Sequence, residues 1–258
     1  MSEFVTMLVV TAVAGAVTGL GALPVFFRAT VTHRVYDAAL GLAAGIMVGA
    51  SVFGLILPGM DEGGLEPVVA GVFLGGLVLL AGNQIIPHLH VRFTGWRHEG
   101  SVTPAGPDSS VRRALLIGGA IVLHNAPEGL AIGVAFASGF QDVAYLLAVV
   151  IGLQNIPDGF AFAVPFGETG VSNAKIFLYT TLSGLVPQVG AAIFGYVLVV
   201  IAAGLFPVAA GFAAGAMLAV VFREMIPSSH GHGYADAATS AFIVGFVLLV
   251  IVDELLVV

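Results

Sequence analysis

Residues 124–131, HNAPEGLA, and residues 154–161, QNIPDGFA, decide how this chain is read. His124 and Gln154, Asn125 and Asn155, Pro127 and Pro157, Glu128 and Asp158, Gly129 and Gly159, and Ala131 and Ala161 fall in register, so the second octet repeats the first. Each lies midway along a long apolar run. Ionisable side chains at such depth in a membrane are costly unless paired, hydrated or ligated, so they point to function by default.

The surrounding runs set the fold class. Of 258 residues, 59% are hydrophobic and 9% charged, with a mean hydropathy of +1.07. Soluble domains carry about 25% charged residues. So few charges cannot cover a water-soluble protein of this length, and hydrocarbon is the solvent for most of it. A helix needs about 20 apolar residues to cross a bilayer. Windows that qualify lie at approximately 4–27, 35–58, 67–87, 111–137, 143–166, 174–204, 207–227 and 235–258. Only helices or closed barrels satisfy their backbone in lipid, and these runs lack the alternation of barrel strands. The expected fold is therefore all-α and integral to the membrane, one domain of eight transmembrane helices. Met1–Val10 has no basic stretch before its apolar run and reads as the start of the first span, not as a cleaved signal peptide. Glycine at Gly41, Gly45, Gly49 and Gly75-Gly76 is a packing signal between membrane helices.

Charge sets the orientation. Arg28, Arg34, Arg92, Arg97, Arg112, Arg113, Lys175 and Arg223 all fall on one side of an eight-span topology, whereas Asp61, Glu62, Glu66 and Asp142 fall on the other. Basic loops stay cytoplasmic, which predicts a cell (plasma or inner) membrane protein with both termini outside. The long polar stretch at 88–110 then reads as a flexible cytoplasmic loop. The basic residues are too few and too scattered for a nucleic-acid footprint. With no cysteine, any metal must be held by oxygen and imidazole nitrogen.

Spacing supplies the chemistry. Residues at i and i+4 share a helix face, so His124 and Glu128 point one way, as do Gln154 and Asp158 on the next helix. Asn125 and Asn155 project about 100° round, widening each polar face. Pro127 and Pro157 lack a backbone N–H and free the carbonyls of Leu123 and Leu153. The sum is a set of imidazole, carboxylate, amide and carbonyl donors. It suits a borderline divalent cation, Zn²⁺ first, with Fe²⁺, Mn²⁺ and Cd²⁺ as alternatives. Spacing alone does not separate metals from protons or sodium, and each polar residue taken singly reads as interhelical glue.

At these two octets the chain resembles the ZIP (Zrt/Irt-like) divalent metal transporters, in particular their prokaryotic GufA-like branch. The resemblance covers essentially the whole chain. It implies inverted three-helix repeats flanking helices four and five, a metal site between those two helices, and movement of a transport bundle against a scaffold. Carried over, His124, Glu128, Gln154 and Asp158 form the main site; Asn125, Asn155, Glu128 and Asp158 face a neighbouring second one. Glu224 matches a carboxylate assigned to metal release, with a salt bridge to Arg223 as the plainer reading. Met47 approaches the main site on the same basis, although gap-filling core accounts for it as well. A homodimer is implied by family alone.

Three departures matter. Asp158 stands where the family usually has Glu. Span six reads Ser183-Gly184-Leu185-Val186-Pro187-Gln188 where the branch commonly has SGLVEP, so Pro187 replaces a carboxylate. Asn83 stands where an acidic residue is expected. One strong metal site is therefore predicted beside a vestigial second.

The expected function is carriage of a divalent ion into the cytoplasm through the midplane site, by an alternating-access or elevator motion. The metal is substrate and not cofactor, and the lipid bilayer is the other partner. No GxxxxGK[ST] is present, so transport follows gradients. An intramembrane metalloenzyme is the main alternative, although no HExxH appears; a non-transporting metal-sensing or structural membrane protein is the second. Loop histidines His88, His90, His98, His230 and His232 are transient metal ligands or simply solvated, and Asp61, Glu62 and Glu66 enrich cations outside or are simply hydrated.

Overall fold

The computed structural model describes residues 2–27, 32–94, 124–167 and 170–256. They form helices α1 (Glu3–Phe26), α2 (His33–Gly63), α3 (Leu65–Thr94), α4 (124–137), α5 (Gln141–Gly167), α6 (Asn173–Ile201), α7 (Phe206–Ser229) and α8 (Ala235–Leu256), with no strand among the described residues. Seven of these are long and apolar enough to cross a membrane; α4 is described from His124 onward. The chain is an all-helical, multi-pass membrane protein.

Several helices are locally broken, and the breaks have causes. Residues Thr18–Ala22 of α1 tighten into a 3-10 turn where two glycines let the chain press against its neighbours, Gly19 against α6 and Gly21 against α5. Helices α2 and α7 each widen into a π turn, Val52–Ile56 and Val221–Met225. Pro58 and Pro227 follow these turns, and a proline ring crowds the carbonyl four residues back, at Gly54 and Arg223. Widening one turn relieves that crowding.

The helices sort into two bundles. Helices α1, α4, α5 and α6 form one, and α2, α3, α7 and α8 the other. Inside each bundle glycines bring backbone onto backbone. Gly159 of α5 lies against Thr18 of α1, and Gly129 of α4 against Gln188 of α6. In the other bundle Gly45 meets Phe242 on α8, and Gly75 meets Phe212 on α7. Across the boundary, contact is made by side chains: Tyr36 against Phe160, Phe140 against Phe206, and Leu147 over Gly54.

A repeat underlies the second bundle. Gly41–Met47, GLAAGIM, recurs as Gly211–Met217, GFAAGAM, and in both copies a π turn and a proline follow. Helix α2 packs its copy on α8, and α7 packs its copy on α3. Four spans, an even number, separate the two copies, so they run in opposite directions, as inverted repeats flanking α4 and α5 must.

The largest departure from the expected boundaries is at the end of α3. Residues 88–94 continue the helix to Thr94. The stretch HLHVRFT contains neither Gly nor Pro, and its polar composition marks exit from hydrocarbon and not the end of helix. The remainder of the expected loop, Arg97, His98, Arg112 and Arg113, and also Arg28 and Leu123, lie outside the described residues, as do the side chains of Asn83, His88, His90 and Arg92.

The neighbouring glycines of α3 offer a direct test of this packing. A Cβ on Gly75 would overlap the Phe212 carbonyl, whereas one on Gly76 meets nothing closer than the Gly215 oxygen at 3.6 Å. Gly75→Ala is predicted to cost about 1–3 kcal/mol and to lower the thermal midpoint in detergent, with Gly76→Ala near wild type. Equal midpoints would contradict the packing.

Candidate metal site

A three-residue corner, Ser138–Phe140, turns α4 directly into α5. Gly139 takes φ 80, a left-handed conformation that suits glycine, and its N–H bonds back to the Phe136 carbonyl at 3.1 Å. The tight corner makes the two motif helices antiparallel neighbours and fixes their register. Each motif has one polar group at its first position and one a turn later. Antiparallel pairing therefore sets the first of one helix against the second of the other.

That is what the side chains do. His124 Nε2 lies 3.1 Å from Asp158 Oδ2. Gln154 Nε2 donates to Glu128 Oε1. One nitrogen or oxygen from each of His124, Glu128 and Asp158 falls within 4.8 Å of the others. Donors of a tetrahedral zinc sit about 2.0–2.1 Å from the metal, hence about 3.3 Å from one another. The His124–Asp158 spacing already matches that edge.

Burial separates the four. Glu128 and Gln154 are fully buried, while the side chains of His124 and Asp158 are 12% and 11% exposed. Gln154 turns its Nε2 to Glu128 and leaves Oε1 buried with no hydrogen-bond partner. An orphaned buried acceptor is expensive, and one beside two carboxylates and an imidazole fits a cation as its missing partner.

The asparagines face elsewhere. Asn155, fully buried, donates from Nδ2 to the Ala14 carbonyl of α1 at 2.8 Å and accepts at Oδ1 from Gln188 of α6 at 3.2 Å. Asn125 Oδ1 accepts from the same Gln188 Nε2 at 3.0 Å. Gln188 also donates to Glu128 Oε2, so both oxygens of that carboxylate are held by amides. The motif reading missed Gln188: alignment looked for a carboxylate one position earlier, at Pro187, while the structure brings the next side chain into the cluster.

From His124, Asn125 and Asp158 a cavity of about 230 Å³ runs between the bundles. Thr18 and Ser183 line it from the first bundle; Tyr36, Leu40, Glu224, Met225 and Ser228 line it from the second. Ser228 is exposed and Glu224 half-buried. The lining runs toward the end of α7 and the start of α2, the face on which the α1–α2, α5–α6 and α7–α8 connections lie. Met47 is fully buried in the hydrophobic core. Asp61, Glu62 and Glu66 are exposed at the turn joining α2 to α3, on the opposite face.

A second buried charge escaped the motifs. Asp37, fully buried near the start of α2, accepts from His232 Nδ1 at 2.8 Å. The His33 ring stacks on His232 with centroids 4.4 Å apart, and Tyr36 meets it edge-on at 5.4 Å. His232 is thus a structural clasp between the α7–α8 connection and α2, whereas His230 is exposed.

The chain is also similar to known proteins. A family profile described as ZIP zinc transporter matches residues 97–253. The chain is 38% identical to the zinc transporter GufA of Myxococcus xanthus over 255 residues, covering 95% of this chain and 97% of the relative. It is 37% identical to the zinc transporter ZIPB of Bordetella bronchiseptica, covering 93% of this chain and 78% of the relative. It is 30% identical to the human zinc transporter ZIP11, covering 92% and 93%.

Asn155 is predicted to act as a structural anchor for α1 and α6. In Asn155→Ala the Ala14 carbonyl loses its side-chain partner and Gln188 loses an acceptor, at a cost of about 1–3 kcal/mol. Metal-free protein in detergent should show a lowered unfolding midpoint; an unchanged midpoint would contradict the assignment.

Proposed function

The chain belongs to the ZIP family of zinc transporters, and from that premise we propose that it carries Zn²⁺, or a related divalent ion, across the membrane through the His124–Glu128–Gln154–Asp158 site. Asn125 and Asn155 flank that site. The observation that carries the reading is the convergence of an imidazole, two carboxylates and an orphaned, buried amide oxygen. Two carboxylates balance one divalent cation, so binding neutralises a negatively charged site and release leaves it charged again.

Access supports transport over simple storage. The cavity reaches the site from the face where α7 ends and α2 begins. That face carries the basic loops, so by the positive-inside rule it is cytoplasmic, with both termini outside. The conformation is then the release state, and Glu224 is a way-station on the exit wall. A membrane path open to one side at a time requires a second state open to the other.

The bundles supply the motion. Every proposed ligand lies on α4 or α5, within one bundle, while five of the twelve residues lining the cavity belong to the other. Backbone-to-backbone glycine packing stiffens each bundle internally, whereas side chains such as Tyr36 on Phe160 and Phe140 on Phe206 meet across the boundary. Sliding the α1/α4/α5/α6 bundle past the other moves the site without dismantling it, an elevator step driven by ion gradients. Pairing into a homodimer within the plasma or inner membrane belongs to the same proposal and rests on family alone.

Isotope or dye-reported zinc uptake into proteoliposomes tests the reading. Wild type should take up zinc, and His124→Ala and Asp158→Ala should fall to the liposome background. Glu224→Gln should keep its bound ion but slow flux several-fold. Tight binding without flux, or turnover of a lipid or peptide, would instead favour the sensor or metalloenzyme.

A further inference from the structure

The Gln188 side chain places one nitrogen at a point where three oxygens converge. Nε2 is 3.0 Å from Asn125 Oδ1, 3.2 Å from Asn155 Oδ1 and hydrogen-bonded to Glu128 Oε2, and the residue is fully buried. A primary amide has two hydrogens to give. Three acceptors around two donor hydrogens is more oxygen than hydrogen bonding alone requires. One carboxylate oxygen and two amide oxygens around a point are, however, an ordinary donor set for a divalent cation.

The backbone fixes the nitrogen there. Gly129, next to Glu128, lets α4 approach α6 so closely that a Cβ would overlap the Gln188 carbonyl. The close approach fixes the backbone from which the amide reaches the cluster, and Gln188 Oε1 is itself held by Asn155 Nδ2 at 3.3 Å. A flexible residue serving only as interhelical glue would not need so specific a seat.

We propose that the Gln188 amide is a tethered substitute for a second divalent cation. It satisfies the oxygens of Glu128, Asn125 and Asn155 without adding charge, and so keeps the transport site to one ion. The reason is electrostatic. Glu128 and Asp158 neutralise one divalent ion, and a second would leave two uncompensated positive charges in a low-dielectric interior, a large penalty. Replacing the amide by a carboxylate removes the occupying donor, adds a ligand and halves the excess charge. The inference rests on the metal site proposed above and goes further by naming what sets its stoichiometry.

Metal content of dialysed protein loaded with Zn²⁺ or Cd²⁺ provides the test. Wild type should hold one ion per protomer, Gln188→Glu two, and Gln188→Glu combined with His124→Ala one. Should Gln188→Glu fail to fold, Gln188→Ala decides: with the amide gone, Cd²⁺ titration should show a second, weaker site beside the first. Two ions in wild type, or a single ion of unchanged affinity in the folded Gln188 variants, would overturn the proposal. A wild type that binds no ion, or whose ion survives His124→Ala, would instead overturn the underlying metal site.

Discussion

A carboxylate buried in the middle of a membrane protein must be given partners, and Glu128 is the side chain around which the rest of this structure is arranged. It has no access to solvent, and its two oxygens are met by two amides, from Gln154 on α5 and Gln188 on α6. Those partners in turn require α5 and α6 to lie close to α4, which Gly129 and the corner at Gly139 permit. The amides hold the carboxylate in place but do not neutralise it. A cation does, and Asp158, His124 and the free oxygen of Gln154 stand where they can share it.

The same economy explains why the site travels as a unit. Helices that approach through glycine bury backbone against backbone in a close fit, whereas helices that meet through rings and aliphatic side chains can re-seat those side chains by changing rotamer. The first arrangement prevails within each bundle and the second between them. The polar cluster, including its anchor to the Ala14 carbonyl, lies wholly inside one bundle. Motion between bundles therefore leaves the costly interactions intact and exchanges only cheap ones.

Much of this was legible in the sequence, for identifiable reasons. Membrane helices announce themselves by length and composition, and the HNAPEGLA and QNIPDGFA octets stand out because polar residues are rare at that depth. Their spacing gave each helix face; family resemblance supplied the pairing of the faces, and the corner at Gly139 shows what sets their register. Gln188 was missed because the expected carboxylate was sought at Pro187, while helix packing turned the adjacent residue inward. The Asp37–His232 clasp joins residues 195 apart in sequence, and no local pattern marks it. The GLAAGIM and GFAAGAM repeat was present to be seen, but small apolar residues are so common in such helices that the match is meaningful only once both copies are found packing alike. The length of α3 was misjudged since a helix leaving hydrocarbon becomes polar before it ends.

Zinc K-edge absorption spectroscopy on protein loaded with one equivalent of metal tests the central claim most directly. The account predicts nitrogen and oxygen neighbours at about 2.0 Å, with the scattering of a single imidazole that disappears in His124→Ala. Two or more imidazoles, or a spectrum indifferent to the loss of His124, would place the metal elsewhere and contradict it.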